Sequence, residues 1–272
     1  MEFLGTQLTG AQFTDAQIGE WVGSLLWPLF RVSAFIMIVP ILGTQLVPMR
    51  VRVGLSFLIT ILIVPSLPAM PSVEALSFGA FYIIIQQIFI GTILGFMFVL
   101  LMQVFVMGGQ MIAMQMGLGF ASMIDPNNGV SVATLAQIFL VSVTLIFLSI
   151  NGHLVMIEVI IESFKTWPIS MDVIGKSGMS PEIIWQLIMR ISWLFVSALL
   201  IALPVIISVL IVSLSFGVMT RAAPQMNVFS LGFPIGMLFG IFILWVSITE
   251  LGPLFQKFTE QTFVFVREIL RV

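Results

Sequence analysis

Charged side chains inside apolar sequence are the residues of this chain best suited to carry chemistry. Arg31, Glu158, Glu162 and Arg190 lie within or beside long apolar segments. At a bilayer centre a charge of this kind costs about 2.5–3.5 kcal/mol on insertion scales. Glu158 and Glu162 are four residues apart, so a helix would place them on one face. Such charges either form buried pairs between subunits or line a path for ions or protons. The residue types favour pairing, but they do not exclude the ion or proton path.

The single histidine, His153, lies in the sequence Asn151-Gly152-His153-Leu154. A histidine can carry a proton or bind a metal, but no set of further ligands accompanies it, and a packing role is favoured. The absence of cysteine excludes disulfides, thiolate catalysis and zinc–thiolate sites. Serine-hydrolase, zinc-protease and phosphate-loop motifs are also missing. We expect a protein that is not an enzyme and uses no cofactor.

Composition indicates a membrane protein built from helices. Hydrophobic residues make up 60% of the chain and charged residues 8%, against about 25% charged residues in an ordinary soluble domain. Lys and Arg are not clustered, so no nucleic acid is expected as a partner. The apolar runs lack the alternation of barrel strands. They are predicted at Trp21–Gly43, Val53–Val64, Leu76–Val106, Val130–Phe164, Ile183–Phe216 and Val228–Thr249. Since several contain proline and the second is short, we expect an all-α membrane protein, a bundle of long, partly broken helices.

The longest uncharged stretch runs from residue 75 to residue 124, well beyond the about 20 residues that cross a bilayer. Its second part combines deformable methionines with glycines that each weaken a helix by about 1 kcal/mol. Methionines at helical spacing are also typical of an ordinary core. The residues therefore favour core packing and a gating or sealing loop equally. The cluster comprises Met107, Gly108, Gly109, Gln110, Met111, Met114, Gln115, Met116, Gly117, Leu118, Gly119 and Phe120.

Glycines four residues apart predict two places of close helix packing. One pair is Gly91 and Gly95, and the other motif is the double spacing of Gly232, Gly236 and Gly240. This spacing lets helix backbones approach closely in lipid. It is common in apolar sequence, so it identifies no particular partner.

The tail from Glu250 onward is predicted to be an amphipathic helix. Apolar residues recur there every three or four positions, and charged residues occupy the other faces. Such a helix lies at an interface or faces a partner. Elsewhere the distribution of Lys and Arg gives conflicting orientations for the predicted spans.

Three motifs together resemble the FliR family of flagellar biosynthesis proteins. They are Gln115–Pro126, Asn151–Leu154 and Arg221–Pro234, and their order and spacing extend the resemblance over nearly the whole chain. The counterparts in virulence type III secretion share the general pattern, and the flagellar assignment is favoured.

The resemblance implies a core subunit of the type III export gate in the bacterial inner membrane, within the flagellar basal body. In that family the subunit joins several copies of FliP and FliQ in a closed helical spiral, with FlhB wrapped outside. The spiral encloses the pore through which unfolded flagellar subunits leave. An assembly largely on the periplasmic side of the bilayer would explain the conflicting charge distribution.

The resemblance also implies a division of the chain and a site. A FliP-like part would cover residues 1–190, and a FliQ-like helical hairpin with the amphipathic helix would cover 191–272. A plug loop would lie at about 108–123. Met111, Met114, Met116, Leu118 and Phe120 would help close the pore, while Gly117 and Gly119 would let the loop move. The alternatives are an ion or small-molecule transporter that uses Arg31, Glu158 and Glu162, and a pure assembly scaffold.

Overall fold

The computed structural model describes residues 15–67, 77–118, 133–169, 181–222 and 228–271, and these ranges contain helices and short turns but no strand. Short 3-10 turns occupy Val64–Ser66 and Ile248–Glu250. The helices are α1 (Asp15–Ile38), α2 (Met49–Ile63), α3 (Phe78–Gln115), α4 (Thr134–Ser149), α5 (Gly152–Thr166), α6 (Pro181–Ala222), α7 (Val228–Ser247) and α8 (Leu251–Arg271).

Four helical stretches within the described ranges are long and apolar enough to cross a membrane. They are Met49–Ser66, Phe78–Gln115, Pro181–Ala222 and Gly232–Leu270. Helices α4 and α5 make a fifth if the pair counts as one broken span. The predicted all-α membrane class is therefore confirmed.

A sharp bend divides the segment predicted as Val130–Phe164 into α4 and α5. The two helices meet at 71°. Asn151 has φ 57, a left-handed conformation that Asn tolerates better than most residues. A Cβ on Gly152 would overlap the ring of Phe147. The Asn-Gly pair of the Asn-Gly-His-Leu motif therefore makes the turn, and its role is structural.

Helix α3 continues further than the sequence predicted, through Gly108 and Gly109 to Gln115. A Cβ on Gly108 would lie 3.3 Å from the carbonyl oxygen of Ala198 in α6, and one on Gly109 would lie 2.8 Å from Cα of Ala136 in α4. These glycines let two neighbouring helices pack against α3. Tertiary packing thus outweighs their weak helix propensity, and the expected loop cannot begin at residue 108.

The chain divides into two compact units. The first comprises Met1–Phe96, Ile157–Ile183 and Leu270–Val272, and the second comprises Met97–Met156 and Ile184–Ile269. The predicted division between residues 190 and 191 rests on the family resemblance, not on packing, and it stays a prediction.

The second unit contains most of the segment predicted as a C-terminal hairpin, up to Ile269. Arg190 Nη2 donates a hydrogen bond to Thr262 Oγ1 at 2.7 Å, which joins the start of α6 to the second half of α8. Further along α6, Cγ1 of Val209 lies 3.9 Å from the Cβ position of Gly236 in α7. Residue numbers rise on one arm as they fall on the other, so α6 runs antiparallel to the arm formed by α7 and α8.

Helix α8 is amphipathic, as the sequence predicted. The rings of Phe105 and Phe255 are 5.4 Å apart, and Phe147 meets Phe255 edge-on at 6.2 Å. The buried face of α8 consists of Leu251, Phe255, Phe258, Thr262, Val266 and Ile269. On the same helix, the charged residues Lys257, Glu260, Arg267 and Glu268 are exposed.

Candidate functional site

The last turn of α3 forms the root of the predicted plug loop. The Met116 N–H donates to Ile112 O at 2.9 Å, and the Gly117 N–H donates to Met114 O at 3.1 Å. Gly117 has φ +78, the left-handed conformation with which glycine commonly ends a helix. The helix therefore stops here because its hydrogen bonding tightens and the backbone then turns left-handed.

The two faces of this helix end differ in burial. Ile112, Ala113 and Met116 are buried, Met116 with 3% of its surface exposed. Met114 is 59% exposed, and Met111 is only half-buried. Met114 and Met111 therefore lie on the more open side of α3, whereas Met116 lies in the core. Met107, Gln110, Gln115, Gly117 and Leu118 are also half-buried, while Gly119 and Phe120 lie outside the described residues.

Gln110 connects α3 to the start of α4. Its side-chain Oε1 accepts a hydrogen bond from the Ala133 backbone N–H at 3.1 Å. The first N–H groups of a helix have no partner within the helix, and Ala133 has no side chain that could cap it. Gln110, predicted as a gating residue, therefore caps the helix that follows the candidate plug.

The end of α3, from which the predicted plug loop would start, packs against α7. A Cβ on Gly240 would lie 2.8 Å from Cγ and 3.1 Å from Sδ of Met116, and one on Gly117 would overlap the ring of Phe233. Gly236, one turn before Gly240, has only Val209 nearby at 3.9 Å. Sequence reasoning missed Phe233, whose only signal is its position inside the third motif.

Gly91 and Gly95 bring α3 against α1 in the first unit. A Cβ on Gly91 would overlap the carbonyl oxygen of Arg31 and lie 3.1 Å from the backbone N of Phe35. One on Gly95 would lie 3.2 Å from Phe35 O. Both contacts involve the main chain, so the absence of a side chain lets the two backbones meet.

Comparison with known proteins assigns the family. Residues 22–262 match the family described as bacterial export proteins, family 1. The chain belongs to the FliR family of bacterial export proteins. The flagellar biosynthetic protein FliR of Escherichia coli K12 is 36% identical over 259 residues, which cover 95% of each chain. The FliR of Bacillus subtilis 168 is 25% identical, covering 90% of this chain and 95% of its own. The surface presentation of antigens protein SpaR of Shigella flexneri is 27% identical, covering 80% and 82%.

These relatives confirm the resemblance inferred from the three motifs. Their names describe biosynthesis, export and surface presentation. The chain is similar both to flagellar proteins and to a surface presentation of antigens protein, as the shared pattern of the three motifs predicted.

Arg31 is a structural clasp in this member of the family. Its side chain is fully buried, and its Nη1 and Nη2 donate to the carbonyl oxygens of Ser163 and Trp167, both at 2.9 Å. These carbonyls lie at the C-terminal end of α5, where the helix dipole is negative. Nε donates to Gln87 Oε1 at 2.7 Å, and the guanidinium lies 4.2 Å from the Phe164 ring centre.

The clasp bears on the alternative in which Arg31 lines a transport path. Its hydrogen bonds to Gln87, Ser163 and Trp167 are all accepted by neutral oxygens, and they join α1 to α3 and to the end of α5. Glu158 is exposed and Glu162 is half-buried. An arginine enclosed in this way holds helices together, and nothing in its geometry favours a transporter.

Arg190 is held by aromatic rings in the second unit. Its guanidinium carbon lies 3.6 Å from the Trp193 ring centre and 4.8 Å from that of Phe265. Stacking on aromatic faces stabilises a desolvated cation. Together with the hydrogen bond to Thr262, these contacts fasten α6 to α8. His153 is half-buried, and no three metal-binding side chains gather anywhere in the described ranges.

Proposed function

We propose that this chain is a channel-forming subunit of the flagellar type III export gate. It helps to line and close the pore through which unfolded flagellar subunits pass. Membership of the FliR family supports the export role. The observation that carries the closing role is the end of α3, where Met116 is buried while Met114, two residues earlier, is 59% exposed. One face is anchored, and the other presents uncharged, flexible side chains.

The mechanism of closure is passive. Methionine has three rotatable bonds and adapts to irregular surfaces, so a group of such side chains can seal a narrow opening. Residues 107–118 carry no charge, and the closing segment therefore offers a passing polypeptide no ion pair. Gly117, already left-handed, is the hinge, and the energy for transport comes from elsewhere. The proposal includes no enzymatic step.

The partners follow from the same proposal. The chain joins several copies of FliP and FliQ, with FlhB outside, in a hetero-oligomer of the flagellar basal body. It lies in the bacterial inner membrane, with much of the assembly on the periplasmic side. Many apolar side chains of α6 and α7 are exposed in the isolated chain, which agrees with coverage by lipid and by other subunits.

Deletion of Gln110–Gly119 tests the closing role. In cells that contain the assembled complex, the deletion should let ions or small solutes leak across the inner membrane, measured with a potential-sensitive dye. The control is the same deletion in cells that lack the partner subunits, where no pore exists. Unchanged conductance in the assembled complex would overturn the proposal.

Two further measurements separate the gate from its alternatives. Purification in mild detergent should yield a stable complex of small helical membrane proteins, whereas a transporter would purify as a monomer or homodimer that moves a solute in liposomes. A photo-crosslinker at residue 114 should capture an export substrate trapped in transit. An assembly scaffold that does not line the pore would give no such product.

A further inference from the structure

A cavity of about 250 Å³ lies within the second unit, between α6 and the junction of α7 with α8. Leu200 on the α6 side is 58% exposed, and Glu250 on the opposite side is exposed, so the cavity opens to the surface between them. Its apolar lining includes Ile112, Phe139, Ile201, Val205, Leu244 and Leu254. The walls are therefore suited to an aliphatic or aromatic body.

The size of the cavity limits what it can hold. An apolar cavity of about 150 Å³ holds a benzene molecule. The larger space here therefore suits a ligand of roughly eight to ten non-hydrogen atoms on the same scale. Ligand pockets for drug-sized molecules are usually larger, at about 300–1,000 Å³. A small molecule with one apolar body is the expected occupant.

The polar groups of the lining are mainly hydrogen-bond acceptors. Of the described lining residues, Glu250 alone carries a charge. Pro204 lies inside α6 and has no N–H, so the carbonyl of Leu200, one turn earlier, lacks its helical hydrogen bond. The Ser247 hydroxyl, also in the lining, does not cap the 3-10 turn that follows it. A carboxylate beside further acceptors is complementary to a cation with several N–H donors, such as a primary ammonium.

The position of Glu250 in the chain indicates how such a ligand arrives. Residues 222–249 carry no charge, and Glu250 ends that run. Trp245, 68% exposed, lies shortly before it, and tryptophan is enriched where a membrane meets water. An amphiphilic molecule in a bilayer keeps its charged group at that boundary and its apolar body in the lipid. An amphiphilic amine therefore reaches the cavity with its ammonium at the level of Glu250.

We propose that this cavity binds a small amphiphilic amine, a primary ammonium attached to an apolar body of about eight carbon atoms. The ammonium pairs with the Glu250 carboxylate, and the apolar body fills the space between Pro204 and Leu244. A neutral or acidic molecule of the same shape lacks the ion pair and binds more weakly. The site does not depend on the proposed closing role, and neither one requires the other.

Equilibrium dialysis of the purified complex in mild detergent tests the site, with isotope-labelled 2-phenylethylamine as the probe. This amine has the expected size and is cationic at neutral pH. Binding should saturate, whereas partition into detergent micelles does not. Ethylbenzene and 3-phenylpropionate have similar shapes without the ammonium and should displace the label only weakly. Absence of saturable binding, as when a side chain of a neighbouring subunit occupies the cavity, overturns the proposal, and so does equal displacement by either analogue.

Two pairs of variants locate the binding. Glu250→Gln should weaken it about fivefold, the scale of an exposed ion pair, whereas Glu260→Gln, at an exposed position of α8 outside the lining, should not change it. Leu244→Trp fills the cavity and should abolish binding, whereas Leu238→Trp, at a 64% exposed position of the same helix, should not. The melting temperature of each variant shows whether it is folded. Equal affinities within either pair overturn the site.

Discussion

Two helix contacts of this protein share the four-residue spacing of glycines but differ in what packs against the glycine. In the first unit, Gly91 meets the backbone of α1 beside the buried side chain of Arg31. In the second unit, Gly240 meets a single flexible side chain, Met116. The first contact joins main chains and is reinforced by hydrogen bonds. The second consists of side-chain packing beside an exposed helix end.

The difference shows that glycine spacing predicts close packing at a helix surface, but not whether a backbone or a side chain packs there. A contact between backbones has no freedom to adjust, since either helix must shift as a whole. A contact with methionine adjusts by a change of rotamer. We therefore expect changes near α1 to affect stability first, and changes near α7 to affect closure first.

The largest effect is expected from Arg31→Met. The substitution roughly keeps the apolar volume but removes the donors to Gln87, Ser163 and Trp167. Ser163 O keeps the hydrogen bond from the Trp167 N–H, but Gln87 Oε1 and Trp167 O lose their Arg31 donors, and each buried acceptor left unpaired costs about 1–3 kcal/mol. The purified complex should therefore melt at a much lower temperature in detergent. Arg50→Met, at an exposed position, is the control. Equal melting temperatures for the two variants would show that the clasp is not stabilising.

Gly91→Ala should be the next most harmful change. Its Cβ would overlap the Arg31 carbonyl oxygen, and overpacking of this kind costs about 1–3 kcal/mol. The measurement is the melting temperature together with the amount of assembled complex. Gly54→Ala in α2, where a Cβ meets nothing within 4 Å, should be neutral or slightly stabilising. Similar losses in both variants would contradict the close contact between α1 and α3.

Gly117→Ala should have a moderate effect that appears mainly as leakage. A left-handed alanine costs about 1–2 kcal/mol, and its Cβ also displaces the Phe233 ring. Gly117→Ala combined with Phe233→Ala keeps only the backbone cost, so the double variant separates the two causes. A Gly117→Ala complex that stays closed and melts normally would remove this residue from the hinge.

The smallest effect is expected from Gly236→Ala. Only Val209 lies near its Cβ position, at an ordinary 3.9 Å, and alanine is the better helix former by about 1 kcal/mol. Stability should be unchanged or slightly higher. A clear loss in the assembled complex would show that another subunit packs against this position, which would make the two glycine motifs more alike than they are in the single chain.

Much of the architecture was predictable from local signals. Long apolar runs specify helices because a backbone in lipid must satisfy its own hydrogen bonds. The amphipathic period of α8 specified its buried face, and the three motifs specified the family. Helix ends were harder to predict. The turn at Asn151 divides a run that reads as one segment, because one left-handed residue outweighs the continuity of the apolar pattern.

The candidate site shows where local signals stop. Sequence alone identified the uncharged cluster at residues 107–120 and the glycine motif of α7, but it assigned core packing and gating equal weight. Tertiary structure decided that α3 continues to Gln115, that Met114 is exposed while Met116 is buried, and that Gly240 receives Met116. The physical reason is that composition and periodicity act along the chain. Which side chain occupies the space beside a glycine depends on contacts between residues far apart in the sequence, as for Met116 and Gly240, which are more than a hundred positions apart.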